Sequence, residues 1–249
     1  MTVIAAKTVR EYALEAPQTI RVFEKLGIDY CCGGNRPLDE VCTAANLNLD
    51  EVLQSLEAAT AEPARPSERQ LSAGSLAELI SHIIKTHHVF VRTEVPQLES
   101  LLEKVCSKHW ENHPELQHIR SVFHGLGQEL MMHMMKEESI LFPYIERMEE
   151  SVLQHEPILP PPFGTVANPV RMMEHEHDGA GAALRSLREA SHDYTSPDDA
   201  CVSYRALYSA LAAFEKDLHQ HIHLENNVLF PRAVEMERGG SSEVPGIWK

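Results

Sequence analysis

The chain has 249 residues and a net charge of -15, with 43% hydrophobic and 24% charged residues, which suits one large globular domain or a small one beside a medium one. No basic stripe offsets the acidic charge, so nucleic acid is excluded as a direct partner, and no apolar run approaches the roughly 20 residues needed to span a membrane. The N-terminus, "MTVIAAKTVREYALEAP", lacks the pattern of a secretory signal, and five cysteines, an odd number, do not form a secreted disulfide framework; a cytoplasmic protein is expected.

Strand signals are scarce, and the chain reads as all-α. Residues 1–60 form a small helical domain. "TVRE" fits a capping box, with Thr8 capping and Glu11 answering three residues on. Pro17 suits a first helical turn, Gly27 a helix end, and a further helix starts near Pro37. A last helix runs from about Asp50 to Ala59. "AEPARPSERQLSAGS", residues 61–75, is polar, rich in Pro and Ser, and reads as a linker. Residues 76–238 then carry four long helical patterns, at about 76–104, 115–149, 169–193 and 200–237, which make a four-helix up-down bundle. Asn168 and Pro169 are expected to cap and open the third helix. Pro143 and Pro231 are expected to kink or rearrange the second and fourth. Residues 239–249 form a tail.

The frame H-x3-E-x3-LFP occurs twice, as "HMMKEESILFP" at 133–143 and "HIHLENNVLFP" at 221–231. Seven-residue series place these ligand-type residues inside the apolar seam. In the second helix the series are Ile119, Leu126, His133, Ile140 and Phe123, Leu130, Glu137, Tyr144. In the fourth they are Leu207, Phe214, His221, Val228 and Tyr204, Leu211, Leu218, Glu225. The first helix supplies His88, in a stripe with Ile84, Val91, Val95, Leu98 and Leu102. His87, in a shorter stripe with Ile80, Ile83 and Phe90, is a rival. The third supplies His177, with Val170, Met173, Ala180, Leu184 and Leu187, while His175 points elsewhere. His88 to His133 is 45 residues and His177 to His221 is 44, so the bundle reads as two similar hairpins.

A single core histidine is more often just hydrogen-bonded than a ligand. A buried unpaired carboxylate is harder to explain, because it costs roughly several kcal/mol. Two carboxylates and four histidines converging on one core point to metal. Six ligands exceed a tetrahedral zinc site, though a zinc-bound structural bundle is the bland alternative. Imidazoles with bridging glutamates suit iron or manganese, and the expected group is two iron ions in a non-haem di-iron centre. Glu129 and Glu176 either hydrogen-bond the ligands and line an entry path or are ordinary solvated acids.

These residues carry a resemblance. The bundle resembles a haemerythrin-like domain, and the chain resembles the bacterial iron-sulfur cluster repair di-iron proteins, the RIC family. The likeness runs from "TVREYALEAPQTIRVFEKLGIDYCCGG" through "SHIIKTHH", "HMMKEESILFP" and "MEHEHDGAG" to "HIHLENNVLFPRA". It implies metal ligands at His88, His133, Glu137, His177, His221 and Glu225. Oxygen-carrying haemerythrins use five histidines, a Glu and an Asp, and this chain departs from that set. The resemblance implies a stress protein that restores iron-sulfur clusters damaged by nitric oxide or peroxide by supplying iron. Its partners would be proteins holding damaged clusters, with NO or O2 as small ligands. The rivals are a haemerythrin-like NO or O2 sensor or scavenger and an enzyme reducing NO or peroxide.

Cys31 and Cys32 precede Gly33 and Gly34. Adjacent cysteines pair with each other only through a strained ring, so an ordinary disulfide is not expected. The functional reading is a thiolate site for receiving or passing iron, or for redox exchange, acting within one chain or across a homodimer. The alternative is two small buried hydrophobes at a turn. Cys42, Cys106 and Cys201 read as packing residues.

Overall fold

A computed structural model describes residues 7–61 and 74–241. Most of the expected linker, and the tail beyond 241, lie outside the described residues. The fold is all-α; among the described residues the extended pairing is a lone bridge between Thr8 and Pro37.

Helix α1, Val9–Glu15, opens with the expected capping box: Thr8 accepts from the Glu11 N–H while the Glu11 carboxylate accepts from the Thr8 N–H. Pro17 begins a 3-10 turn, Pro17–Thr19, that leads into α2, Ile20–Leu26. Gly27 ends α2 at φ 65°, a left-handed value that favours glycine. After the cysteine turn come α3, Leu38–Ala44, and α4, Leu49–Thr60, the latter capped by the Asn48 side chain. Val9, Ala13, Phe23, Leu38, Val52 and Leu56 are buried in a core continuous with that of the bundle.

The four long helices follow. α5 runs through Leu76–Ile83, a wide turn at Ile84–His88, and Val89–His109. α6 runs through Glu115–Lys136, a wide turn at Glu137–Leu141, and Phe142–Leu153. α7 is Ala167–Ala190. α8 runs through Val202–His223, a wide turn at Leu224–Leu229, and Phe230–Ser241. α6 packs against both α5 and α7, and α8 packs against α5.

The wide turns are π-helical and change the register. A π turn takes one more residue than an α turn, so the series Ile119, Leu126, His133 does not continue to Ile140. That side chain is 50% exposed, and Leu141 and Phe142 take the buried positions instead. Two of the π turns precede Pro143 and Pro231, where a rearrangement was expected. The third, in α5, has no adjacent proline. What the three share is a ligand-type residue: His88, Glu137 and Glu225 each lie in one.

Asn168 does not cap α7. The helix begins at Ala167, and the Glu237 carboxylate of α8 accepts the Val166 N–H at 2.9 Å. Asn168 instead donates to the Phe163 carbonyl at 2.8 Å. A charged acceptor from a neighbouring helix has displaced the local cap, which a local sequence rule does not register.

Candidate metal centre

All six expected side chains meet in the bundle interior, each with at most 3% exposure. They form two overlapping groups. His88, Glu137, His221 and Glu225 make one; His133, Glu137, His177 and Glu225 make the other. Within each group the candidate ligand atoms lie within 4.8 Å of one another, and both glutamates belong to both groups. Glu137 reaches His88 through Oε2 at 3.4 Å and His133 through Oε1 at 3.3 Å. Glu225 mirrors it, with Oε1 2.9 Å from His221 and Oε2 3.1 Å from His177.

Outer hydrogen bonds orient the rings. Nδ1 of His88 faces Glu138 at 2.6 Å, Nδ1 of His133 faces Glu176 at 2.9 Å, and Nδ1 of His177 faces Asn226 Oδ1 at 2.7 Å. Each partner is an acceptor, so Nδ1 carries the proton and, in the neutral ring, Nε2 presents a lone pair inward. The inward nitrogens meet in pairs: His88 and His221 at 3.1 Å, His133 and His177 at 3.0 Å. Facing lone pairs repel unless a cation lies between them. Both Glu137 oxygens and Glu225 Oε2 are buried and face imidazole Nε2 atoms at 3.1 to 3.4 Å. Four imidazole nitrogens and two carboxylates, six side chains in all, exceed what one tetrahedral ion takes.

Without metal, protons supply the missing positive charge. Burial alone would depress His88 and His133, but contacts with Glu137 and Glu225 outweigh it and lift them to about 10 and about 9. His221 goes the other way, its burial holding it below the ordinary value. Burial raises Glu225, yet His221, His177 and His88 bring it well below the carboxylate range. One protonated imidazole thus faces a neutral one in the His88–His221 half.

The halves differ in support. His221 Nδ1 is buried without a partner, and the ring of His87 stacks on it with centroids 5.6 Å apart. His87 itself bonds Asp217 at 3.1 Å and joins neither ligand group. On the other side, a cleft of about 450 Å³ is lined by both His133 and His177 and by Glu129. Glu176 joins that half, bonding His133, whereas Glu129 only lines the cleft. Glu138 and Asn226 were not foreseen. Each directly follows a glutamate of the repeated frame, so an acceptor at that position was the available signal.

The chain matches the Hemerythrin HHE cation binding domain over residues 79–233 and a Domain of Unknown function, DUF542, over residues 5–60. It is 36% identical over 231 residues to the iron-sulfur cluster repair protein YtfE of Pectobacterium carotovorum, covering 93% of this chain and 98% of that one. YtfE of Cronobacter sakazakii is 37% identical, covering 92% of this chain and 96% of that one. A probable iron-sulfur cluster repair protein of Haemophilus influenzae is 34% identical, over 92% and 97%. The chain belongs to this haemerythrin-domain repair family.

The family's N-terminal domain brings Cys31 and Cys32 against the bundle in the same chain. Asp29 Oδ1 accepts the N–H groups of Cys31 and Cys32 at 3.1 and 2.9 Å, folding the turn onto one carboxylate. The sulfurs lie 3.7 Å apart. The Cys32 thiol donates to the backbone carbonyl of His177 at 3.6 Å, and Asn226 Nδ2 donates to the Cys31 carbonyl at 3.4 Å. Arg10 and Asn227 close the contact: Arg10 donates to the Asn227 carbonyl, and Asn227 donates to the Tyr30 carbonyl. Gly34 permits the turn, because a Cβ there would sit 2.6 Å from the Tyr30 carbonyl oxygen. Cys42 and Cys106 are buried packing residues as expected, but Cys201 is exposed and lies 3.2 Å from His109 Nε2. It stands at the start of α8, before the helical seam begins.

Proposed function

We propose that this protein repairs iron-sulfur clusters damaged by oxidative or nitrosative stress, holding two iron ions between Glu137 and Glu225 and supplying iron to the client. His88 and His221 would hold one ion, and His133 and His177 the other. A loaded centre would supply exchangeable ferrous iron with open coordination positions. The observation that carries this reading is the sharing of both glutamates by two histidine pairs, with Cys32 hydrogen-bonded to the backbone of one ligand. The names of the relatives support the repair role. The contact within one chain supports transfer without a homodimer. Among the described residues no helix is long and apolar enough to cross a membrane, and we assign the protein to the cytoplasm.

The test is anaerobic recovery of an enzyme whose [4Fe-4S] cluster has been damaged by NO or peroxide. The iron-loaded protein restores its activity, and Cys31→Ser with Cys32→Ser keeps the bundle iron but slows recovery. Equal recovery with free ferrous iron at the same concentration contradicts the reading.

The cleft at His133 and His177 favours a second reading, reversible binding of NO or O2 as a sensor or scavenger. Tight gas binding by a protein that restores no cluster selects it.

A further inference from the structure

The cysteine turn holds more than two thiols. Asp29 Oδ1 lies 3.4 Å from Cys31 Sγ, and the two sulfurs are 3.7 Å apart. A tetrahedral ion with metal–sulfur bonds of about 2.3 Å sets its sulfurs about 3.8 Å apart, and with a metal–oxygen bond of about 2.0 Å it sets oxygen about 3.5 Å from sulfur. The two distances made by Cys31 Sγ match these separations, and the three candidate ligand atoms all lie within 4.8 Å of one another. They also face space: a cleft of about 480 Å³ between the N-terminal unit and the bundle is lined by all three, with Arg185 and Lys216 on its wall. Arg185 Nη1 approaches Asp29 Oδ2 at 3.9 Å.

We infer that Asp29, Cys31 and Cys32 form a third metal site, separate from the six bundle ligands, which takes one thiophilic divalent cation, ferrous iron in function. The inference rests on the reading that the cysteine pair handles iron, and it deepens that reading by naming a carboxylate ligand. On binding, two S–H bonds break, two iron–sulfur bonds form and two protons pass to solvent, while the iron stays ferrous. Two thiolates and a carboxylate leave the bound ion with one net negative charge, which Arg185 opposes. Three protein ligands leave a fourth position toward the cleft for water or a client's sulfur. The site therefore holds an ion en route and does not store it.

The experiment uses the full chain with its bundle iron in place, in a phosphine reductant under argon, titrated with Co(II). Wild type develops a thiolate-to-cobalt charge-transfer band that saturates at about one ion per chain. Cys31→Ser and Cys32→Ser each lose most of the band. Asp29→Asn keeps an oxygen for the two backbone N–H groups, so the turn survives, and binding weakens about tenfold. No band in wild type, or an unchanged affinity in Asp29→Asn with unchanged thermal unfolding, overturns the inference. The two claims fail separately. A missing band with cysteine-dependent repair rejects only the third site. A band with repair that ignores the cysteines leaves the site and rejects its part in repair.

Discussion

Asn226 Oδ1 lies 2.7 Å from Nδ1 of His177, and the same amide donates through Nδ2 to the carbonyl of Cys31. One side chain thus orients an imidazole of the candidate metal centre and ties down the cysteine turn. Partners of this kind are typically worth 10–100-fold in metal affinity. Asn226→Ala is expected to weaken iron binding by about that factor, measured by competition with a chelator under argon. An affinity equal to wild type would leave the amide with a purely structural role.

The shared glutamates predict a pattern that separate sites would not give. Glu137→Ala or Glu225→Ala removes a ligand common to both ion positions, so iron falls from about two per chain to well below one. His221→Ala touches one position and leaves about one ion. Metal analysis of the three variants, purified alike, checks this ordering.

The charge balance of the site predicts proton release. His88 and His133 are raised to about 10 and about 9 in the metal-free protein, above the ordinary imidazole value. Raised folded-state values stabilise the fold fully below about pH 6.5 and less as pH rises through 9 to 10. The thermal midpoint of metal-free protein should therefore fall across that upper range. Ferrous loading at pH 7 replaces those protons, so about two per chain should appear in a weakly buffered indicator assay. Loading without proton release contradicts the charge scheme.

Gly34→Ala separates the two parts of the chain. The new Cβ would sit 2.6 Å from a backbone oxygen, so the turn must shift. The expected cost is about 1–3 kcal/mol, confined to the N-terminal unit. Bundle iron stays at the wild-type level while cluster recovery falls. Parallel loss of both would show that the turn supports the bundle itself.

Much of this was legible in the sequence because the helices are periodic and the frame repeats. His133, Glu137, His221 and Glu225 fell on apolar series, where a polar side chain needs a reason; His88 and His177 fell on stripes of their own, with His87 a rival that the family resemblance weighed against. Ile140 shows where periodicity stops: a π turn adds a residue that a seven-residue count does not contain. Glu138 and Asn226 were missed for a different reason: each directly follows a glutamate of the repeated frame and lies off the apolar series that picked out the others. Glu237 was invisible in another way. It caps α7 from the far end of the chain, and a local cap rule found Asn168 instead.

The most direct test of the two-ion centre is the iron content of anaerobically purified protein, read with its Mössbauer spectrum after one-step oxidation. The account predicts about two irons per chain, magnetically coupled through shared ligands. One iron per chain, two uncoupled irons, or zinc under iron-replete expression would contradict it.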